Sequence, residues 1–456
     1  MTDILSFNGT NLSEVRQKQS DFFMSNHTQG KLFRLKNLKK LKKILLAHEK
    51  KLLFSVKKDL GRCYFDTYMT EMSVLYKEID YAIKNLETWM KPQGAPSLLS
   101  TFWCKNKIIN VPLGKILIIS PWNFPLLLLL APLVGALAAG NCVVLKPSEQ
   151  APAVANTVAK MISSHFQEEL IAVFLGDARV SKSLCSQRWD HLLFTGSSVV
   201  GKSIAQQAAL TMTPTTFELG GKCPCIVTKK CDLKISVQRI VFGKIMNSGQ
   251  ICVAPDYIAV EDSIYEEFSK KLKERLKEQL KEQLTIIKKD HYQKLVQSLD
   301  KNKIIWKQEK SSYPFLVCKI DDWNHPIMKE EIFAPILPVV TYSDKKDLLT
   351  RINSLPAPLA TYLFSKSKED YQFFSSNIKS GSFVCNDTLV HLANPNLPFG
   401  GVAESGLGSY RGWYSFSRFS QTKVFTKAST AFDLPVRYYP HTATKEKFLR
   451  FINRLS

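Results

Sequence analysis

The amino terminus lacks what a secreted chain would show. Met1–Thr10 has no basic segment leading into an apolar one, so a reducing cytoplasm is the expected compartment. Cysteine is sparse, ten in 456 residues, which excludes a disulfide framework as the source of stability. Cys223, Cys225 and Cys231 lie close together but form no Cys-x2-Cys pair and have no histidine cluster beside them, so they read as packing thiols and no metal is expected. No internal repeat or low-complexity segment is present. Acidic residues are in short supply, with 40 Asp and Glu against 62 Lys and Arg, a net charge of +22. Such a surplus raises nucleic acid or an anionic membrane as partners. The lysines, however, come as dispersed pairs such as Lys39-Lys40, Lys42-Lys43, Lys57-Lys58, Lys270-Lys271 and Lys288-Lys289. On helical faces these are the pattern of a solvated surface, so nucleic acid is not expected and membrane contact would be peripheral at most.

Charge is missing altogether between Lys115 and Lys146, a run long enough to rival a membrane span of ~20 residues. Its detail excludes one. Ile116-Leu117-Ile118-Ile119 reads as a buried strand, Ser120-Pro121-Trp122-Asn123-Phe124-Pro125 cannot be helical, and Leu126 to Ala139 makes a wholly buried helix. Cys142-Val143-Val144-Leu145 then forms a second strand, closed by Lys146-Pro147-Ser148-Glu149. Strand, helix, strand with no polar face is a parallel βαβ unit covered on both sides.

What is present is an ordinary globular composition, 45% hydrophobic and 22% charged, long enough for two or three domains. Ser13 to Trp89 reads as amphipathic helices, with Leu35, Leu38, Leu41, Leu45 and Leu46 at helical spacing and lysines opposite. Thr101-Phe102-Trp103 with Lys107–Val111 predicts a β-ribbon, and Phe416–Thr426 a second. After the first βαβ unit the spacing predicts a helix over 153–163, strands at 172–175 and 191–194, and a helix opened by Thr195–Gly201. This alternation is a doubly wound α/β pattern. Gly196 to Gly201 brings a helix N-terminus close to an anion, which suits a pyrophosphate, although it is not the full dinucleotide fingerprint. A charged helix is predicted from Ser263 to about Leu284, and Pro326–Val340 runs from loop into strand.

The stretch that draws the chemistry together is Asn247-Ser248-Gly249-Gln250-Ile251-Cys252-Val253-Ala254-Pro255, which delivers one thiol on a turn of small residues. Taken alone, these residues favour a buried packing cysteine over a nucleophile. Glu218 closes an apolar strand beside Gly220-Gly221, and a Gly-rich connection spans Asn396–Gly408.

In chain order, Pro121–Pro125, Lys146–Glu149, Phe194–Ser197, Glu218-Leu219-Gly220-Gly221-Lys222, Gly249–Cys252, Glu330-Glu331-Ile332-Phe333 and Pro398–Gly401 match motifs of one family. The sequence resembles the aldehyde dehydrogenases over nearly its whole length. Ile79–Ala82, Trp89–Pro92, Cys252–Tyr257 and Val436–Tyr438 make it most similar to the class 3 branch, whose members act on fatty and aromatic aldehydes. The resemblance implies a Rossmann-like cofactor domain (1–90 and 113–217), an α/β catalytic domain (218–400), a small β-ribbon module for oligomerisation (91–112 and 401–430) and a tail (431–456). It implies Cys252 as the nucleophile that forms a thiohemiacetal and then a thioester. Asn123, with the Cys252 amide, would stabilise the oxyanion, a fixed donor being worth roughly 2.7–4 kcal/mol there. Glu218 would activate the hydrolytic water.

The cofactor implied is NAD, with NADP as the alternative. Lys146 and Glu149 would hold the adenosine ribose, Gly196 and Ser197 the pyrophosphate, and Glu331 with Phe333 the nicotinamide end. A carboxylate at the 2′-hydroxyl favours NAD. The implied partners are an aldehyde and a second copy of the chain. Ala334 and Ala403 replace glycines usual in the family, Cys223 replaces a serine, and the stretch from about Leu280 to Lys310 is shorter than usual. A cofactor-free thiol hydrolase is the enzymatic rival, disfavoured by Lys146, Glu149 and Ser197.

Overall fold

The computed structural model describes residues 4–280 and 284–455. Sixteen strands follow in chain order among the described residues. Strands β1 (Gln93–Ala95) and β2 (Cys104–Pro112) open the ribbon. Then come β3 (Lys115–Ile119), β4 (Cys142–Lys146), β5 (Ile171–Val173), β6 (His191–Thr195) and β7 (Thr215–Glu218). The second half carries β8 (Pro224–Val227), β9 (Tyr257–Glu261), β10 (Ile304–Lys307), β11 (Leu316–Lys319), β12 (Ile336–Tyr342), β13 (Ala360–Phe364) and β14 (Ser382–Cys385). Strands β15 (Gly406–Leu407) and β16 (Ser420–Ala428) end the series.

The strands make three sheets. The first has the order β15-β7-β6-β3-β4-β5, parallel except for β15. The chain starts in the middle at β3, winds outward through β4 and β5, and then returns to the other side of β3 for β6 and β7. That reversal opens a crevice at the carboxyl ends of β3 and β6, the place where such sheets bind ligands. The loops leaving those two strands carry Asn123 and Gly196-Ser197. The uncharged helix is there as predicted, Leu127–Ala139, with every residue buried. The second sheet has the order β10-β11-β12-β9-β8-β13-β14, parallel apart from β10. The third is the ribbon β1-β2-β16. No helix among the described residues is long and apolar enough to cross a membrane.

The ribbon departs from the sequence reading at both ends. Thr101 closes a 3-10 turn and pairing begins only at Cys104, because Phe102 and Trp103 turn instead to pack on Phe432, with ring centroids 4.9 and 5.7 Å away. Phe416 lies in the helix Gly412–Arg418, not in a strand. Its ring is fully buried against Trp89 at 5.3 Å and Trp413 at 5.5 Å, and this burial overrides its β preference. The short β15 joins the first sheet rather than the ribbon. The charged helix runs Tyr265–Gln279; residues 281–283, into which its prediction extended, lie outside the described residues. Leu46, placed with the apolar face of the long Lys31–Leu60 helix by spacing, is instead exposed.

Candidate active site

The turn before Cys252 is wound the wrong way for ordinary residues. Asn247, Ser248 and Gly249 have φ of 47°, 57° and 74°, and the two non-glycine positions cost about 1–2 kcal/mol each. Hydrogen bonds offset that cost. The Gln250 amide donates to the Asn247 and Thr285 carbonyls, both at 3.0 Å, while its oxygen accepts from the Ile287 N–H at 3.0 Å. Asn247 Nδ2 donates to the carbonyls of Asn123 (3.0 Å) and Gln250 (3.2 Å). Gly249 must be glycine for space as well as φ, since a Cβ there would stand 2.6 Å from the Ala334 carbonyl oxygen.

Asn123 is tied to the same turn. It is buried, and its Nδ2 donates to the Gln250 carbonyl at 3.1 Å. A primary amide has two such hydrogens, so one remains for an oxyanion. The loop holding Asn123 is fixed by a buried ion pair between Arg62 and Glu71. Glu71 also accepts from the Leu126 and Leu127 amides at 2.8 and 2.9 Å, and the Arg62 guanidinium lies over Phe124, 4.7 Å from the ring centroid.

Cys252 is half-buried in the wall of a cavity of about 230 Å³. Met69, Phe124, Leu128, Met246, Val253 and Phe399 supply much of its lining, with Thr70, Thr388, Tyr410 and Arg411 among the residues that carry a polar group. Burial raises the Cys252 thiol above its ordinary pKa, and the carboxylates of Glu331 and Glu218 add to the rise. The group therefore rests as a thiol. Glu218, at the end of β7, is 2% exposed and neither carboxyl oxygen has a hydrogen-bond partner. Burial therefore pushes its pKa well up, against a smaller opposing pull from Arg418. An unpaired buried carboxyl with a raised pKa, within electrostatic reach of a thiol, can serve as a general base once it has given up its proton.

Of the remaining predicted residues, Lys146, Glu149, Gly196 and Ser197 stand at or just after the carboxyl ends of β4 and β6. Lys146, buried at the end of β4, donates from Nζ to Glu149 Oε2 at 2.8 Å. Partial burial of Glu149 works the other way, but this hydrogen bond holds its carboxyl below the usual value. Gly196 is half-buried, and Ser197 is exposed at the N-cap of the Ser198–Leu210 helix. The Ser197 side chain makes no capping hydrogen bond, which leaves first-turn amides aimed outward for an anion. Phe333 has φ 44° and meets Trp122 edge-on with centroids 5.7 Å apart. Glu331 lies directly over Gly220, where a Cβ would come within 1.8 Å of its Oε2. Burial, helped by Asp256, pushes the Glu331 carboxyl up to about 8. Free helix amides for phosphate, a ribose-sized carboxylate and a backbone cleared of side chains together fit a dinucleotide.

Two groups had no signal in the sequence beyond their place in a motif. Lys222 donates from Nζ to Asp256 Oδ2 (2.5 Å) and to the Ile327 (2.8 Å) and Glu330 (3.1 Å) carbonyls. Asp256 Oδ1 in turn accepts from the Ile332 N–H at 2.8 Å. The buried pair thus grips the chain on both sides of Glu331. Lys244 is fully buried beside Gly249, its Nζ without a hydrogen-bond partner, and burial pulls the ammonium down to about 8. Cys223, Cys225 and Cys231 are free thiols, the first two buried.

The profile of the aldehyde dehydrogenase family matches residues 30–425. The chain is 38% identical over 439 residues to aldehyde dehydrogenase family 3 member H1 of Arabidopsis thaliana, covering 93% of this chain and 91% of that one. It is 36% identical over 427 residues to the dimeric NADP-preferring aldehyde dehydrogenase of Rattus norvegicus, covering 91% and 94%. Among solved structures, the substrate-bound state of Staphylococcus aureus AldH superposes with a TM-score of 0.93 at 34% identity, covering 97% of this chain and 99% of that one. The doubly wound cofactor fold, the thiol at an apolar cavity and these likenesses define a dehydrogenase that works through cysteine. The chain belongs to the aldehyde dehydrogenase family, in its class 3 branch, and oxidises aldehydes to carboxylic acids with NAD or NADP.

Proposed function

We propose that the substrates are apolar aldehydes, medium or long aliphatic chains and aromatic rings, and that Cys252, Glu218 and Asn123 carry the chemistry. The observation that carries this reading is a nearly all-apolar cavity walled by the Cys252 thiol, with the unpartnered Glu218 carboxyl within electrostatic reach of that thiol. Such a lining offers a sugar or a charged aldehyde almost no hydrogen-bond partner, whereas each buried CH₂ gains about 0.8 kcal/mol. A cavity at the small end of ligand pockets suits one slim chain or one ring system.

Cys252 attacks the aldehyde carbon and passes its proton to solvent water as it does so, since the raised thiol holds little thiolate beforehand. Negative charge gathers on the former carbonyl oxygen between the free Asn123 N–H and the Cys252 amide. NAD(P), when bound, supplies the hydride acceptor. Lys146 and Glu149 would hold its adenosine ribose, Gly196 and Ser197 would receive its pyrophosphate, and Glu331 and Phe333 would border its nicotinamide end. The acyl group then remains on Cys252 as a thioester, and Glu218 takes a proton from the water that hydrolyses it.

The ribbon supports a homodimer. Strand β16 is an edge whose Val424 and Phe425 are exposed, an arrangement that invites pairing with a second copy. The proposal is tested with a panel of aldehydes of rising chain length and with aromatic rings, each assayed by NADH and NADPH formation. kcat/KM should climb with chain length; a preference for short or charged aldehydes would overturn the assignment of the cavity.

A further inference from the structure

The Lys31–Leu60 helix is 30 residues long, about 45 Å, and one line along it never turns inward. Leu32, Lys36, Lys39, Lys43, Leu46, Lys50, Phe54 and Lys57 are all exposed and, at 3.6 residues per turn, fall within an arc of about 80°. Leu32, Leu46 and Phe54 are 79%, 53% and 57% exposed, so the lysine row is punctuated by three large apolar side chains left mostly open to solvent.

The helix carries two carboxylates, and both serve the interior. Glu49 accepts from the Tyr76 hydroxyl at 2.7 Å, while Asp59 accepts from the Ala153 and Val154 amides at 3.1 and 2.8 Å. Lys31 and Lys42 are paired with Glu87 and Asp80 off the line. Among the described residues, Lys36, Lys39, Lys43 and Lys50 make no ion pair. The row ends beside the cavity. Lys57 Nζ lies over the Tyr64 ring at 5.3 Å, exposed Phe65 (72%) follows, and Met69 and Thr70, one turn on, line the cavity that ends at Cys252.

We propose that this stripe docks the protein on an anionic lipid bilayer. The lysines meet the headgroup charge, Leu32, Leu46 and Phe54 enter the interface, and the aromatic segment 64–68 is brought to the bilayer surface. Cations alone would fit any polyanion. The interleaved leucines and phenylalanine select a lipid surface, because they gain nothing from a hydrated phosphate backbone and gain burial in an acyl boundary. A single long helix presenting its length to a plane also matches the geometry of an interfacial contact. The docking is independent of the catalytic assignment, since it is read without substrate.

The test is co-sedimentation of the full chain with vesicles of phosphatidylcholine alone and of phosphatidylcholine containing phosphatidylglycerol. Binding is expected to the second and not the first, weakening as salt is raised. Lys36→Glu, Lys39→Glu, Lys43→Glu and Lys50→Glu combined should weaken it by about a hundredfold or more. Leu46→Ser with Phe54→Ser should weaken it by roughly tenfold or more. Both variants should keep wild-type oxidation of a short water-soluble aldehyde, which shows that they fold. Equal binding to both vesicles, no binding to either, or undiminished binding by the four-lysine variant would overturn the proposal. So would tighter binding to duplex DNA than to anionic vesicles at the same salt.

Discussion

Replacing Glu218 by glutamine separates the two halves of the reaction. The side chain keeps its size, and the neutral amide adds no charge to a site where burial already pushes the native carboxyl well above its usual pKa. Attack by Cys252 and transfer to the cofactor should proceed. Hydrolysis of the thioester should not, because a positioned base contributes ~10²–10⁴-fold to its own step, about 2.7–5.5 kcal/mol. Stopped-flow NADH fluorescence should record a burst stoichiometric with enzyme followed by a very slow steady rate, and mass spectrometry should find the acyl group on Cys252. Stability gives an independent readout. The folded carboxyl binds its proton more tightly than the unfolded one, whose pKa is about 4.3. Above that pH the native state carries the extra proton, so wild-type stability falls as pH rises. Glu218→Gln lacks that slope, so its stability relative to wild type should rise as pH climbs above the unfolded value, read by denaturation at a series of pH values. A missing burst would refute the role of Glu218 in hydrolysis and point to it as the base for the thiol. Near-wild-type turnover would refute any catalytic role.

Cys252→Ala should fold, bind NAD and lose aldehyde oxidation; activity above about a hundredth of wild type would sink the nucleophile. Glu149→Gln should shift preference towards NADP by about fivefold, roughly 1 kcal/mol of removed repulsion, with Lys146 released to meet the 2′-phosphate. An unchanged ratio of kcat/KM for the two cofactors would make Glu149 a loop-shaping residue. Asp256→Asn strips the buried partner from Lys222 and should lower stability by about 3–5 kcal/mol. If the pair positions Glu331, the variant should also raise the cofactor KM by about tenfold or more while leaving the aldehyde KM nearly unchanged, as read by titrating each at saturation of the other.

Much of this protein was legible in one dimension. Local patterns encode the doubly wound half: Ile116–Ile119, Leu127–Ala139 and Cys142–Lys146 are apolar on every side because both faces of a parallel sheet are covered, and no other soluble arrangement tolerates such a run. Cys252, Glu218, Asn123, Lys146, Glu149 and Glu331 stand in ordered motifs, so each was nameable before any contact was known. What the linear order cannot carry is which groups are left without partners and which residues meet across distance. The isolation of the Glu218 carboxyl, the raised Cys252 thiol and the grip of Lys222 and Asp256 on the Glu331 loop arise from burial and from contacts between residues far apart in sequence. Phe416 and Phe102 show the same limit in secondary structure, since aromatic packing against Trp89 and Phe432 outweighed a local β preference. Leu46 shows it in burial: helical spacing admits two neighbouring leucines to the core face, and only the packing of the helix against its neighbours decided that Leu45 goes in and Leu46 stays out. Residue order determined the chemistry this chain carries; tertiary packing determined the protonation, the strain and the exposed basic line, because desolvation and long-range contact exist only once the chain has closed on itself.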